Sequence, residues 1–446
     1  MANSYLHKTS GTPTSQKTGT FSFWVKRSGL GSTTRLFNNH VTSVYYGYID
    51  FTGGDQLRIA GDDAGTIDVK TNRVFRDNSA WYHIVIAIDS SQSTAADRVK
   101  VYVNGTQETS FASSTYPSQN DNLNFFNTSA ANGHVVGAYY NGSAYSGGFD
   151  GYMSHVAFVD GQQLAPTVFG ETDSTSGIWK FKSPSGVTWG NNGFHLKFEN
   201  SGAMGTDSSG NSNTFTVQGN LNQALDTPSN VSCTWSSATK DAGALLSRAA
   251  TQMARGSGDG HCTVMGTLGV SSGKWYYECK LDTAGSAANA NSVGIVRVDS
   301  DASETSGKNA GDDSTSDYFY CGGGEYQGHG GSGSYGNSYT SGDIIGVAFD
   351  LDNNKLYFHK NGTYQNSGVP TSGSTGTGAK AITAGDFFVP ACGGYDGTIW
   401  RANFGNGYFG TSAISSAGSN GNGSLFEYDV PNGYYALNTK NINTYG

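Results

Sequence analysis

Seven glutamates are spread through this 446-residue chain: Glu108, Glu171, Glu199, Glu278, Glu304, Glu325 and Glu427. Glycoside hydrolysis needs two carboxyl groups facing one bond, one to donate a proton and one to act as nucleophile or base. The run Glu-x-Asp-x-x-Glu, which supplies such acids on a strand, is absent. Glu278 and Asp282 stand four apart without a third acid and read as surface carboxylates at a strand end. His83 has no convergent His or acid by spacing and reads as a packed strand residue. His261 (beside Cys262) and His329 (in a glycine loop) lack a partner at zinc spacing. Gly331-Ser-Gly-Ser is not followed by a helix, so it makes no nucleophile elbow. No phosphate-cradling Gly-x-x-x-x-Gly-Lys-Ser/Thr occurs. No catalytic residue is assigned, and the expectation is a chain that performs no covalent chemistry.

Clustered acids could hold Ca²⁺, which takes six to eight oxygens. Asp62-Asp63, Asp312-Asp313 and Asp350-Leu-Asp352 are the candidates, although Asp350 and Asp352 also suit a hairpin turn for backbone reasons. One structural Ca²⁺ is therefore possible, its ligands are unassigned, and no other cofactor is expected. The stretch 317–339 is glycine-rich and carries Tyr326, His329, Tyr335 and Tyr339. Loops on a rigid sandwich commonly carry binding. Tyrosine stacks on sugar faces and hydrogen-bonds hydroxyls at low entropic cost. These four residues, with Tyr395 and Trp400 nearby in strand order, form the expected ligand-binding set. The alternative is that the loop packs its tyrosines on neighbouring subunits.

The elements that would position these residues are strands. Aromatics reach 13% while all hydrophobic residues make only 36%, so the interior must be built largely from rings, which favour strands. Sixty-four glycines fall between short aromatic runs, without a Gly-X-Y period, and read as tight turns. Helical periodicity is confined to Asp241–Met253. Thr20–Arg27 places Phe21, Phe23 and Val25 on one face, and Trp81–Asp89 alternates likewise. Arg98–Thr106 holds Asn104-Gly105, a type I′ hairpin signal. In the second half, Gly273–Leu281 aligns Trp275, Tyr277 and Cys279. Gly342–Gly362 contains two strands around Asp-Asn-Asn and a further Asn361-Gly362 turn. The sum is an all-β chain of two antiparallel β-sandwich (jelly-roll) domains in tandem.

Particular strings carry a resemblance. The runs 78–89, 97–107 and 149–166 contain Trp81-Tyr-His, Tyr102-Val-Asn-Gly and Phe149-Asp-Gly-Tyr-Met-Ser-His-Val-Ala-Phe, in that order. They resemble the laminin-G-like, concanavalin-type jelly roll over about residues 1–170, a family that often holds one Ca²⁺ at a rim. The strings Gly273-Lys-Trp-Tyr-Tyr-Glu, Gly342-Asp-Ile-Ile-Gly-Val, Phe388-Val-Pro-Ala and Ala402-Asn-Phe-Gly resemble the SPRY (B30.2-like) sandwich over about 240–412. Residues 171–240 read as bridging strands and loops, and 241–446 as the SPRY-like sandwich with a C-terminal extension. The whole arrangement, including 194–216 and the terminal 430–442, is similar to virion proteins of marine tailed bacteriophages.

That resemblance implies a virion recognition protein, a tail fibre or head or tail appendage, binding host-surface glycan or protein through sandwich loops. The alternative is a structural virion part, such as a capsid decoration, binding other virion proteins. A net charge of −9 without a Lys/Arg cluster argues against nucleic acid and anionic lipid. No apolar run approaches a membrane span, and no apolar h-region opens the chain. Five cysteines, an odd number without a C-x-x-C pair, point to free thiols in a protein made in host cytoplasm and then exposed on the particle. A homo-oligomer is expected, with a trimer favoured, held partly by Pro431–Leu437.

Overall fold

The computed structural model describes residues 4–40, 46–61, 66–126, 133–300 and 316–446. Asp62, Asp63, Asp312 and Asp313, two of the three expected acid pairs, lie outside the described residues. The chain divides into two compact units, residues 1–76 with 80–223 and residues 77–79 with 224–446.

The strands of the first unit are β1 (Tyr5–Lys8), β2 (Thr18–Arg27), β3 (Thr34–His40), β4 (Tyr46–Phe51), β5 (Gln56–Gly61) and β6 (Ile67–Val74). Then come β7 (Tyr82–Asp89), β8 (Val99–Val103), β9 (Thr106–Gln107), β10 (Phe111–Thr115), β11 (His134–Val136), β12 (Tyr139–Tyr140) and β13 (Tyr145–Ser146). The last are β14 (Gly151–Asp160), β15 (Gly170–Thr172), β16 (Trp179–Phe181), β17 (Phe194–Leu196) and β18 (Thr216–Gln218). One sheet has eight strands in the order β10-β6-β5-β4-β3-β11-β1-β18. The other has six, in the order β17-β14-β2-β7-β8-β9. Period-2 alternation sends Phe21, Phe23, Ile84, Ile86 and Val101 from the six-stranded sheet, and Phe37, Ile49, Leu57 and Val69 from the eight-stranded sheet, into one shared core. Tyr102 faces the other way, as alternation with Val101 and Val103 requires. Asn104 and Gly105 both take positive φ in the β8–β9 turn.

Residues 171–223 belong to this first unit, not to a separate bridge. Phe194 and Leu196 alternate inward into its core while β17 pairs with β14, and β18 pairs with β1.

The second unit is also a sandwich. A seven-stranded sheet runs Trp235–Lys240, Cys262–Gly266, Phe388–Gly394, Ser292–Arg297, Asp317–Cys321, Glu325–Gly328, Gly333–Ser334. It faces a nine-stranded sheet centred on Ile399–Asn403, Lys274–Thr283, Ile344–Asp350 and Lys355–Lys360. Trp275, Tyr277, Cys279, Ile345, Val347, Phe349, Phe358 and Phe404 meet in its core. The expected helical turn at 241–253 is instead a hairpin, with Leu246 opposite Met253 and with Arg248, Ala249 and Ala250 all left-handed. Burial of Met253 beneath the sheet outweighs the helix propensity of this alanine-rich run. Among the described residues the one α-helix is α1 (Thr439–Tyr445), capped by the Asn438 side chain.

Within Pro431–Leu437, the segment expected to hold an oligomer in part, Asn432 and Gly433 are exposed and Pro431 and Tyr435 partly exposed. Tyr434, Ala436 and Leu437 are fully buried within their own unit. Phe426, Val430 and Tyr434 pack on Tyr276, Ala348 and Tyr357 of the nine-stranded sheet, and Tyr435–Ala436 adds a parallel pairing to Trp275–Tyr276.

Candidate functional site

Alternation that fills the first core with Ile49, Phe51 and Ile59 places a different set on the outer face of the eight-stranded sheet. In β4 these are Tyr46, Tyr48 and Asp50, and in β1 they are Tyr5 and His7. A bulge in β3 between Arg35 and Phe37 turns both Leu36 and Phe37 inward and leaves Arg35 outward beside Asp50. Gly47 is required between the two tyrosines, because a Cβ there would meet the Phe125 ring at 2.5 Å. The β12–β13 hairpin lies along β3, anchored by the Tyr140 N–H donating to Asn38 Oδ1 at 2.9 Å, and adds Tyr139, Tyr140 and Tyr145.

Six tyrosines, all partly exposed, thus share one sheet face and its flanking hairpin. Tyr5 stacks on Tyr145 at 4.0 Å, Tyr145 lies 4.6 Å from Tyr140, and Tyr46 stacks on Tyr48 at 5.8 Å. Arg35 sits 4.2 Å from the Tyr48 ring and 5.0 Å from that of Tyr139. Burial pulls the Arg35 guanidinium down to about 10, which leaves it charged at neutral pH. Burial lifts the Tyr145 hydroxyl to about 12, so it remains a donor. The same desolvation holds His40 below the ordinary histidine range, and its ring meets Tyr140 edge-on at 5.4 Å. The arrangement offers flat apolar rings, phenol donors and fixed guanidinium groups, which suit sugar faces and hydroxyls.

One pairing elsewhere in the unit has the outline of a nucleophile and base. Ser22 Oγ lies 2.9 Å from His83 Nε2 on the outer face of the six-stranded sheet. His83 Nδ1 accepts the Trp179 indole N–H at 2.9 Å, so the ring proton is on Nε2 and is donated to Ser22. A base would need the opposite tautomer. Burial between Trp24 and Trp179 drives the His83 pKa to about 3, and the pair is structural, as the sequence suggested for His83.

The ligand-binding set expected from the sequence is not assembled on the surface. Tyr326, Tyr335, Tyr339 and Trp400 are buried in the second core. Their polar atoms are used internally. The Tyr326 hydroxyl donates to His329 O, the Tyr339 hydroxyl bonds to Asn291 O and Tyr320 O, the Tyr335 hydroxyl accepts from Phe358 N, and Trp400 Nε1 donates to Gly393 O. Loop tyrosines whose hydroxyls find backbone carbonyls pay little to be buried, and here the strands at 325–328 and 333–334 fold them back over the sheet. His329 and Tyr395 are partly exposed but apart in their contacts, His329 against Tyr318 and Tyr395 against His261. Asp350 accepts from Asn353 and Lys274, and Asp352 from Gly273 N, as turn chemistry requires. The tyrosine face was missed, and its signal was Tyr46-Gly-Tyr-Ile-Asp-Phe, with aromatics alternating on the polar side of a strand.

Residues 2–168 match the Concanavalin A-like lectin/glucanases superfamily, and residues 274–406 match the SPRY domain. No curated protein matches the chain. Solved structures do, among them the SPRY domain of human HERC1, at 20% identity over 34% of this chain and 87% of that one, with a TM-score of 0.26. The chain thus carries a concanavalin-like domain and a SPRY domain, kinds that typically serve binding and adhesion.

Proposed function

We propose that this chain is a recognition protein, a tail fibre or appendage of a bacteriophage virion, and that its first unit binds host-surface carbohydrate without altering it. The observation that carries the reading is the gathering of Tyr5, Tyr46, Tyr48, Tyr139, Tyr140 and Tyr145 on one sheet face. Protein interiors and hairpins do not need six partly exposed rings in one place, whereas sugar rings stack on such a surface. Asp50 and Asp68 both lie on that face, and Asp50 is held between Arg35 and Arg58 with its carboxylate oxygens taken up in ion pairs. Five free, buried cysteines accord with synthesis in a reducing host cytoplasm before display on the particle. A homo-oligomer, with a trimer favoured, and contacts to other virion proteins complete the proposal. Neither nucleic acid nor membrane is a proposed partner.

A glycan array probed with the full chain tests it. Binding to host-type glycans that falls at least tenfold in Tyr48→Ala and Tyr140→Ala supports the reading. Binding unchanged in both variants refutes this face as the site. A structural virion role is favoured by one feature, the exposed pair Val298 and Phe387 on the second unit, joined by Val298 N donating to Phe387 O. Failed particle incorporation of Phe387→Ser with normal adsorption by the residual particles would favour that role.

A further inference from the structure

One row crosses the tyrosine face at right angles to its strands. Arg35 in β3 stands opposite Asp50 in β4, Asp50 opposite Arg58 in β5, and Arg58 opposite Lys70 in β6. Neighbouring strands lie about 4.8 Å apart, so the four residues form a continuous charged ladder. Asp50 is fully buried and is the only acid in the row. It is fixed by two guanidinium groups, Arg35 through an ion pair and Arg58 through Nε at 3.1 Å and Nη2 at 2.8 Å. A buried carboxylate is stable only when so paired.

This pairing leaves cations over. Three positive groups and one negative group stand in the row, and with Asp68 one row along on β6 the face keeps a surplus of one, on a chain whose net charge is −9. Among the described residues, Arg58 Nη1 makes no hydrogen bond and the Lys70 side chain makes no hydrogen bond or ion pair. Both side chains are partly exposed. The Arg58 guanidinium stands 5.0 Å from the Tyr48 ring, so stacking surface and free cation are adjacent. A sugar stacked on Tyr48 would hold a substituent within reach of Arg58 Nη1 and Lys70 Nζ. A planar guanidinium already oriented by Asp50 loses little entropy on accepting an anionic oxygen pair.

We infer that the carbohydrate recognised on this face is acidic, bearing carboxylate or sulfate ester groups that Arg58 and Lys70 engage. The inference rests on the carbohydrate reading above and narrows it. It is tested by titration calorimetry of the full chain with three hexasaccharides: a uronate, a sulfated galactan and a neutral glucan. Preference for either acidic probe over the neutral one is expected, weakening between 50 and 500 mM salt as exposed charges are screened. Uronate binding alone would identify the anion as carboxylate, and sulfated-probe binding alone as sulfate. Lys70→Gln lies outside the Asp50 pairing, so it leaves the fold intact and should weaken acidic-probe binding about tenfold, one charge-assisted hydrogen bond. Arg58→Gln should weaken it further. Equal binding of neutral and acidic probes, unmoved by salt and by Lys70→Gln, overturns the acidic assignment and leaves the carbohydrate reading standing. No binding of any probe, with none recovered on the array, sinks both.

Discussion

Removing the charge of Glu278 should reshape the pH dependence of the second unit. Its carboxylate, expected from the sequence at the surface, is instead wholly buried on the outer face of the nine-stranded sheet, under the C-terminal segment. Oε1 accepts from the Tyr276 hydroxyl and Tyr428 N, and Oε2 from Glu427 N. Burial opposes the charge more strongly than these bonds favour it, and lifts the pKa from 4.5 to about 7. A raised pKa means that folding is favoured while the group is protonated. Its contribution is complete below the unfolded value, near 4.5, and is lost as pH rises through about 7. Integrating between pH 5 and pH 8 gives a loss of about 2.5 kcal/mol, at ~1.36 kcal/mol per pKa unit. Glu278→Gln cannot titrate and isolates this one group. Urea unfolding of the full chain at pH 5, 6, 7 and 8, followed by hydrogen exchange in peptides from 425–437, would report the second unit. Wild type should lose about 2.5 kcal/mol relative to the variant across that range. A wild-type-minus-variant difference that is flat, or that grows with pH, would refute the argument that desolvation governs this carboxylate.

Three further outcomes follow from packing. Phe349→Ala, at a fully buried core position, should cost about 3–5 kcal/mol in chemical denaturation, and a loss under ~1 kcal/mol would contradict its placement. Gly47→Ala drives a methyl against Phe125 and should destabilise the first unit by about 1–3 kcal/mol, read as a lowered urea midpoint. All five cysteines are free and buried, so a thiol reagent should label none in native protein and five after unfolding; paired cysteines in the intact mass would overturn this.

The two sandwiches were legible because their strands alternate strictly. Phe21, Phe23 and Val25, or Trp275, Tyr277 and Cys279, can occupy one core only if each run is a strand. The two Asn-Gly turns were legible for a backbone reason, positive φ at Asn104 and Asn361. The candidate site was not. Composition cannot separate a tyrosine that presents its ring from one whose hydroxyl reaches a carbonyl inside, as that of Tyr339 reaches Asn291 O. Nor could spacing show that Tyr5 meets Tyr145 or that Tyr48 meets Tyr139, since strand pairing and the β12–β13 hairpin set those neighbourhoods. Asp50 and Arg58 are eight residues apart in sequence, and only the antiparallel register makes them partners.

The second unit begins and ends at one seam. Val231 N donates to the Thr439 hydroxyl, Thr439 N to Val231 O, Cys233 N to Leu437 O and Lys440 N to Asn230 Oδ1. A pull applied between residue 224 and residue 446 would load α1 with its Tyr435–Tyr445 stack and then these four bonds. The large sheets would carry little of that load until the seam had parted. Mechanically the unit is a hanging loop with a weak clasp, and under tension the clasp gives way while the sandwich keeps its shape.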